Sequence, residues 1–118
     1  MMRLIIHLVN LMYNEIFWAY VNFTNRSDGK RRPVLVIRQT ETNYVVYRIT
    51  TKYDNKSDWI KNKYLKISDW KQAGLQRLYW IDTIRPYNLP IVSTSLNYIG
   101  RLSDHDLHEL MLIITKQS

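Results

Sequence analysis

The segment PVLVIR, residues 33–38, limits the possible folds of this chain more than any other stretch. Four consecutive aliphatic residues in so short a run are typical of a buried strand, and proline is tolerated at a strand's first residue. We therefore predict a central strand here. Three cations, Lys30, Arg31 and Arg32, stand directly before it, so the sequence places positive charge at the start of a buried element.

Several other short runs have the pattern of strands. EIFWAYVNFT (15–24) and NYVVYRIT (43–50) alternate aromatic and branched residues with period two. Further candidates are KYLKI (63–67), RLYWIDTIR (77–85) and LNYIGRL (96–102). The stretches between them predict loops: NRSDGK (25–30), a mobile basic loop TKYDNKSDWIKNK (51–63), and PYNLPIVST (86–94).

Two helices are predicted. SDWKQAGL (68–75) begins with Ser68 as a capping residue and places Gly74 where a left-handed C-terminal residue belongs, which predicts one or two turns. In the last segment Ser103 is the predicted cap, and apolar residues recur at helical spacing after it. The pattern as a whole indicates a small, strongly bent antiparallel sheet or partly open barrel with a short internal helix and a C-terminal helix.

The length of 118 residues and the 46% hydrophobic content predict one domain over residues 1–118. The apolar start, residues 1–12, is too short to cross a bilayer and has no small-residue cleavage site after it. We interpret it as an N-terminal extension packed on the barrel, which a start at Met12 would remove. The absence of cysteine excludes disulfides and zinc sites built on CxxC pairs, and we expect a cytoplasmic protein.

Positive charge is concentrated in the middle of the chain. The whole chain has a net charge of +7, whereas residues 26–101 contain fifteen Lys or Arg against six Asp or Glu, a net charge of +9. A basic surface of this kind attracts phosphate backbones or an acidic protein partner without sequence specificity. The alternative is a surface that is charged for solubility alone.

Six motifs follow one another in a characteristic order: FWAYVNF (17–23), KRRPVLVI (30–37), YRITT (47–51), SDWKQAGL (68–75), WIDTIR (80–85) and YIGRLSDHDL (98–107). Together they resemble the MazF/PemK (Kid-like) toxins of bacterial type II toxin–antitoxin systems, from about Tyr13 to the end of the chain. The fold class that the resemblance implies is mainly β with helices (α+β), in the form of a small SH3-like, partly open antiparallel barrel that forms a homodimer.

The resemblance also implies an activity. Toxins of this kind are sequence-specific endoribonucleases that cut single-stranded RNA without a metal or cofactor and so inhibit translation. The RNA's own 2′-hydroxyl is the nucleophile, and the products carry a cyclic phosphate and a 5′-hydroxyl. A cognate antitoxin with an acidic, disordered segment is expected to cover the RNA groove until it is degraded.

Cleavage of RNA by its own 2′-hydroxyl requires proton transfers and donors around the extra charge of the phosphorane. Arg32 matches the family's catalytic arginine, and its planar fork suits two phosphate oxygens. Thr50 matches the family's threonine and is expected to donate its hydroxyl to a nonbridging oxygen, with Thr51 as the fallback. Without the resemblance, Arg32 would be interpreted as a solvated cation and Thr50 as a residue type that is common in strands.

Asp82 falls where some members of the family place an acidic general base. A structural role as an acceptor for Arg85 or Arg77 is the alternative, and the sequence leaves both open. The chain departs from the family pattern at Trp80, where members with that acid carry an arginine. The general acid is therefore open between Arg32 and Arg85.

Unpaired RNA is bound by stacking on aromatic rings and by cations along its backbone. The candidate RNA-binding residues are Lys30, Arg31, Thr51, Lys52, Tyr53, Trp59, Arg85 and Tyr87. We expect no metal site, because His105 and His108 have no third ligand nearby and belong to a helix surface.

Two other functions are consistent with the sequence. One is a noncatalytic RNA-binding or antitoxin-binding module on the same barrel, a reading that the departure at Trp80 keeps open. The other is a toxin like CcdB, which acts on DNA gyrase through a protein contact and would depend on the final helix rather than on Arg32 and Thr50. The basic middle and the arginine and threonine motifs favour the ribonuclease.

Overall fold

The computed structural model describes residues 14–21 and 30–117, so the predicted N-terminal extension and most of the first predicted loop lie outside the described residues. The strands of the described part are β1 (Glu15–Val21), β2 (Lys30–Gln39), β3 (Asn43–Thr50), β4 (Tyr64–Lys66), β5 (Trp80–Pro90) and β6 (Leu96–Arg101). Its helices are α1 (Asp58–Lys61), a 3-10 turn (Ile91–Ser93) and α2 (Asp104–Gln117).

The strands form one antiparallel sheet in the order β4-β5-β3-β2-β1-β6. Among the described residues the edge strands β4 and β6 do not pair with each other, so the sheet is not closed into a complete barrel. This confirms the predicted fold class, a mainly β fold that carries a short internal helix and a C-terminal helix.

The PVLVIR segment is buried on both faces of the sheet, as its composition predicts. Leu35 and Ile37 belong to the main core, which also contains Leu110 of α2. Val34 and Val36 point to the opposite face and pack in a second cluster. The strand begins at Lys30 rather than at Pro33, so the three cations lie inside β2 and not in the loop before it.

The predicted helix over residues 68–75 forms only a series of turns. Its first two N–H groups, those of Ser68 and Asp69, donate to the buried carboxylate of Asp106 on α2 at 3.1 and 2.9 Å. Gly74 has a φ of 89°, the left-handed conformation that was predicted for it. The cap of α2 is also confirmed, because the N–H of Asp106 donates to Ser103 Oγ at 3.1 Å.

The prediction of a loop over residues 86–94 is wrong for its first half, since β5 continues to Pro90. Neither proline lies at a position where the hydrogen bonds between the strands require a backbone N–H. Pro86 lies in the interval 83–86, where the register of β5 against β3 shifts, and Pro90 is the last residue of the strand. The short internal helix is α1, within the segment that was predicted to be a mobile loop.

Candidate functional site

A groove of about 350 Å³ opens where β2 begins and β3 ends. Its lining comprises Trp18, Arg31, Arg32, Pro33, Ile49, Thr50, Thr51, Lys52, Arg77 and Tyr79. Four of these ten residues are cations, and none carries a carboxylate or an imidazole. The groove therefore presents concentrated positive charge, which suits a phosphate-bearing ligand. We call it the cationic groove.

Arg32 and Thr50, the first two predicted catalytic residues, both line this groove. The pairing of Val34 with Arg48, continued by two residues along both strands, places Arg32 directly opposite Thr50. Side chains that lie opposite each other in an antiparallel pair project from the same face. Arg32 is half-buried and paired with Ala19 of β1 on its other side, so β1 holds its backbone in the sheet.

The Thr50 hydroxyl is anchored by a local hydrogen bond. Thr50 is only 5% exposed, and its Oγ1 accepts from the Lys52 N–H at 3.1 Å. A hydroxyl that accepts one bond keeps its own proton to donate elsewhere. The sharp turn after β3 thus fixes the oxygen and leaves a donor for a ligand in the groove.

Arg31 and Trp18 form one wall of the groove. The Arg31 guanidinium lies 5.5 Å from the centre of the Trp18 ring, within the range of a cation–π contact. Lys52 and Arg77 are exposed, and both line the same groove. Because these two cations are free to reorient in water, they are suited to steering a charged ligand rather than to fixing it.

Asp82, the third predicted catalytic residue, does not line the groove. Its side chain is 7% exposed and pairs with the Arg48 guanidinium at 2.8 Å. The same carboxylate oxygen accepts from the Tyr64 hydroxyl at 3.3 Å, and the other oxygen accepts from the Ile84 N–H at 3.0 Å. The structural alternative named Arg85 or Arg77 as the partner, and that assignment is wrong because the cation is Arg48.

Burial and neighbouring charges shift the pKa values of two groups that are hydrogen-bonded to Asp82. Burial raises the pKa of Tyr64 above its ordinary value, and the negative charge of Asp82 raises it further. Burial acts to lower the pKa of Arg48, but the hydrogen bond with Asp82 and neighbouring charges outweigh it and raise the value. Both shifts favour a neutral Tyr64 beside an ion pair between Arg48 and Asp82.

The two aromatic residues of the segment 51–63 have different environments. The Tyr53 ring stacks on Trp80 with centroids 4.7 Å apart and an interplanar angle of 3°, and Lys61 Nζ lies 5.1 Å from the Tyr53 ring centre. Trp59 is 65% exposed, with Lys63 Nζ at 5.4 Å from its ring centre. Of this pair of predicted stacking residues, Trp59 has the accessible ring, whereas Tyr53 has one face covered.

The remaining predicted RNA-binding residues lie outside the cationic groove. Arg85 is exposed, and its guanidinium lies 5.1 Å from the Tyr87 ring centre. A hydrogen bond with Tyr87 raises the pKa of Arg85 above its usual value. Lys30 is exposed at the first position of β2. The structure thus brings together Arg31, Arg32 and the segment 50–52 and does not bring the other predicted residues to them.

Five of the ten lining residues were not predicted as site residues. Two of them flank Arg32 and Thr50 in the sequence, and the other three are Trp18, Arg77 and Tyr79. The period-two pattern of EIFWAYVNFT puts Trp18 and Tyr20 on one face of β1, but the register that brings this face beside Arg31 cannot be derived from alternation alone. The predicted strand RLYWIDTIR starts too early, because β5 begins only at Trp80; residues 77–79 have no regular structure, and their path to the groove follows from no periodic pattern.

Within residues 14–21 and 30–117, no three His, Cys, Asp or Glu side chains cluster as a metal site would require. His105 and His108 are both exposed on α2. No helix in the described part of the chain is long and apolar enough to cross a membrane.

Comparison with known families gives one match. The model of a family described as "PemK-like, MazF-like toxin of type II toxin-antitoxin system" matches residues 13–117. A comparison with curated proteins finds no match.

Proposed function

The chain belongs to the PemK-like, MazF-like family of type II toxins, since the match covers nearly all of it, and we propose that it is a sequence-specific endoribonuclease acting on single-stranded RNA. The observation that carries this proposal is the meeting of Arg32 and Thr50 in one cationic groove. Members of the family are generally endoribonucleases.

In the proposed reaction, the 2′-hydroxyl loses its proton and attacks the adjacent phosphorus, which forms a cyclic phosphate. The bond from phosphorus to the 5′-oxygen of the next nucleotide breaks, and that oxygen gains a proton and leaves as a 5′-hydroxyl. Negative charge grows on the nonbridging oxygens, and donors aimed at those oxygens lower the barrier. Arg32 offers a planar fork with fixed charge, and Thr50 offers the hydroxyl that the Lys52 N–H holds in place. Both are held by strand backbone, so little reorganisation is needed when the charge develops.

The other cations of the groove take different roles. Lys52 and Arg31 bind the flanking backbone. Arg77 supplies a third guanidinium in the groove, which the tryptophan at position 80 cannot provide. Arg85 does not line the groove, so we place it among the RNA contacts and not at the reacting phosphate. For Asp82 we propose a structural role, because three hydrogen bonds already occupy its carboxylate.

The family implies an antitoxin partner. We propose that an acidic segment of the cognate antitoxin occupies the cationic groove, because a polyanion and the RNA backbone would compete for the same four cations. The working form that we propose is a cytoplasmic homodimer that inhibits translation by cutting mRNA.

A noncatalytic RNA-binding module is the second candidate. It is favoured by one observation, which is that the described lining of the groove contains no carboxylate or imidazole to move a proton. Such a module would bind RNA through the same cations and leave it intact.

One assay separates the two candidates. Purified protein is incubated in EDTA with a long single-stranded RNA, and cut sites are mapped by primer extension. Discrete cuts that disappear in Arg32→Ala support the ribonuclease. Arg38→Ala is the matched control, because Arg38 is an exposed arginine at the far end of the same strand, and it should cut like the wild type. Intact RNA that remains bound by the wild-type protein would indicate the noncatalytic module.

A further inference from the structure

A second groove, of about 420 Å³, adjoins the cationic groove and shares Trp18 and Arg31 with it. The rest of its lining comes from Ala19 and Tyr20 of β1 and from Ser95 and Asn97 at β6. Neither its four new residues nor the two shared ones carry negative charge. None of the residues proposed above to stack RNA bases lines this groove.

The pairing of β1 with its two neighbours explains the shape of this groove. Tyr20 is opposite Arg31 on β2, and Trp18 is opposite Asn97 on β6. Because opposite residues share a face, these four side chains form one platform across three strands. Tyr20 is 72% exposed, and Asn97 is also exposed, so the platform is accessible from solvent.

We propose that this platform binds a single nucleobase of an RNA strand whose backbone lies in the adjoining cationic groove. The inference rests on the proposed function and deepens it, because it assigns residues that select the sequence to be cut. The base stacks on the exposed ring of Tyr20. The Asn97 amide, which has one acceptor and two donors, forms hydrogen bonds with the edge of the base.

The two grooves have the arrangement that a nucleotide requires. A nucleotide joins a flat aromatic group to a charged phosphate, and here an exposed aromatic platform joins a groove with four cations. Arg31 lies between them, on the Trp18 ring, where it can contact the backbone between base and phosphate. Stacking alone would accept any base, so discrimination is assigned to Asn97.

The test compares Tyr20→Ala, Tyr20→Phe and Asn97→Ala with the wild type. Asn88→Ala is the matched control, because Asn88 is an exposed strand asparagine outside both grooves. Binding is measured by fluorescence anisotropy with short 2′-fluoro homopolymers of the four bases, which lack the nucleophile and cannot be cleaved by the proposed reaction. Cleavage is measured on a pool of random-sequence RNA by sequencing the products.

We expect the wild type to prefer one base, and Asn97→Ala and Tyr20→Ala to reduce that preference at least about fivefold. Tyr20→Phe keeps the ring and should retain the preference, as should Asn88→Ala. An unchanged preference in Asn97→Ala and Tyr20→Ala would overturn the inference. A wild type without any base preference would also overturn it. So would variants that change only the oligomeric state, measured by light scattering, since a second copy of the chain would then cover the platform.

The two proposals fail separately. If no form cuts RNA but base preference depends on Tyr20 and Asn97, the ribonuclease proposal fails and the base site stands. If RNA is cut with the same sequence profile in every variant, the ribonuclease stands and the base site fails.

Discussion

Thr50 is a buried strand residue whose hydroxyl is nevertheless directed to a groove. It is 5% exposed and accepts from the N–H of Lys52 at 3.1 Å, a contact within a turn that also brings the lysine to the groove. Arg32 lies opposite it by register and is half-buried. A neutral donor and a fixed cation on one face are complementary partners for two oxygens of a phosphate.

Replacing Thr50 by valine keeps its shape and removes the donor. We expect the cleavage rate under single-turnover conditions to fall about 100-fold, as for the loss of one donor to a developing oxyanion. Losing the hydrogen bond with Lys52 should also lower the free energy of unfolding by about 1 kcal/mol. Thr50→Ser should restore most of the rate, and Thr94→Val, outside the groove, should cut normally. A valine variant as fast as the wild type would remove Thr50 from the mechanism.

Asp82→Asn distinguishes the two roles that the sequence left open. It leaves the Arg48 cation, 24% exposed, without its counter-charge, so we expect the free energy of unfolding to fall by about 2 kcal/mol in urea titrations. If the role is structural, the folded variant should cut RNA at close to the wild-type rate at low temperature. A rate loss of more than about 100-fold in a fully folded variant would instead identify Asp82 as a general base.

At the scale of elements, the segment 51–63 departs most from the sequence-based expectation. It was predicted to be a mobile loop, yet it contains α1, capped by Ser57 Oγ, which accepts from the Ile60 N–H. Its start is held to β5 by the stack of Tyr53 on Trp80. The residue that departs from the family pattern therefore has a structural contact of its own, and it fastens the segment that follows Thr50.

Trp80→Ala should release that segment from β5. The stack is worth about 0.5–1.5 kcal/mol beyond the area it buries, so amide hydrogen exchange over residues 52–63 should accelerate while β2 and β3 stay protected. Trp59→Ala is the matched control, because Trp59 lies in the same segment and is 65% exposed. Equal exchange in the wild type and Trp80→Ala would show that other contacts hold the segment.

The strands were predictable where local pattern and tertiary packing agree. NYVVYRIT is a strand over its whole length, and PVLVIR is buried on both faces as its four aliphatic residues indicate. The local sequence pattern gave wrong predictions where a contact with a residue distant in the sequence determines the structure. Asp106, 37 residues from Asp69 in the sequence, ties the start of the segment 68–75 to α2, and a register shift lets β5 continue through Pro86. The candidate site was predictable only for Arg32, Thr50 and their sequence neighbours, since Trp18 and Arg77 reach the groove through strand register and the path of a loop.

At the scale of the whole molecule, the charge of the chain has a defined location. Four cations line the cationic groove, and none of the described residues in that lining is acidic. Binding of RNA there should therefore release counterions in proportion to the number of phosphates that these cations neutralise. The net charge of +7 alone would not locate this effect.

The salt dependence of RNA binding tests whether the RNA is bound at these four cations. If three to four phosphates are contacted, the slope of log K against log of the salt concentration should be about −2 to −3 for single-stranded RNA. Arg77→Ala should make the slope shallower by about 0.7, and Arg38→Ala should leave it unchanged. Equal changes from both variants, in anisotropy titrations with a 2′-fluoro RNA, would mean that binding uses diffuse surface charge.

The most direct test of the ribonuclease proposal uses two versions of one RNA that contains a mapped cut site. One version is all-ribose, and the other has a single 2′-deoxy sugar immediately 5′ to the cut. Both are incubated with the protein in EDTA, and the ends are identified by mass spectrometry. The proposed mechanism predicts a cyclic phosphate and a 5′-hydroxyl from the first RNA and no cut at that site in the second. Cutting of the deoxy substrate at that site, 5′-phosphate products, or no cutting of either RNA would contradict it.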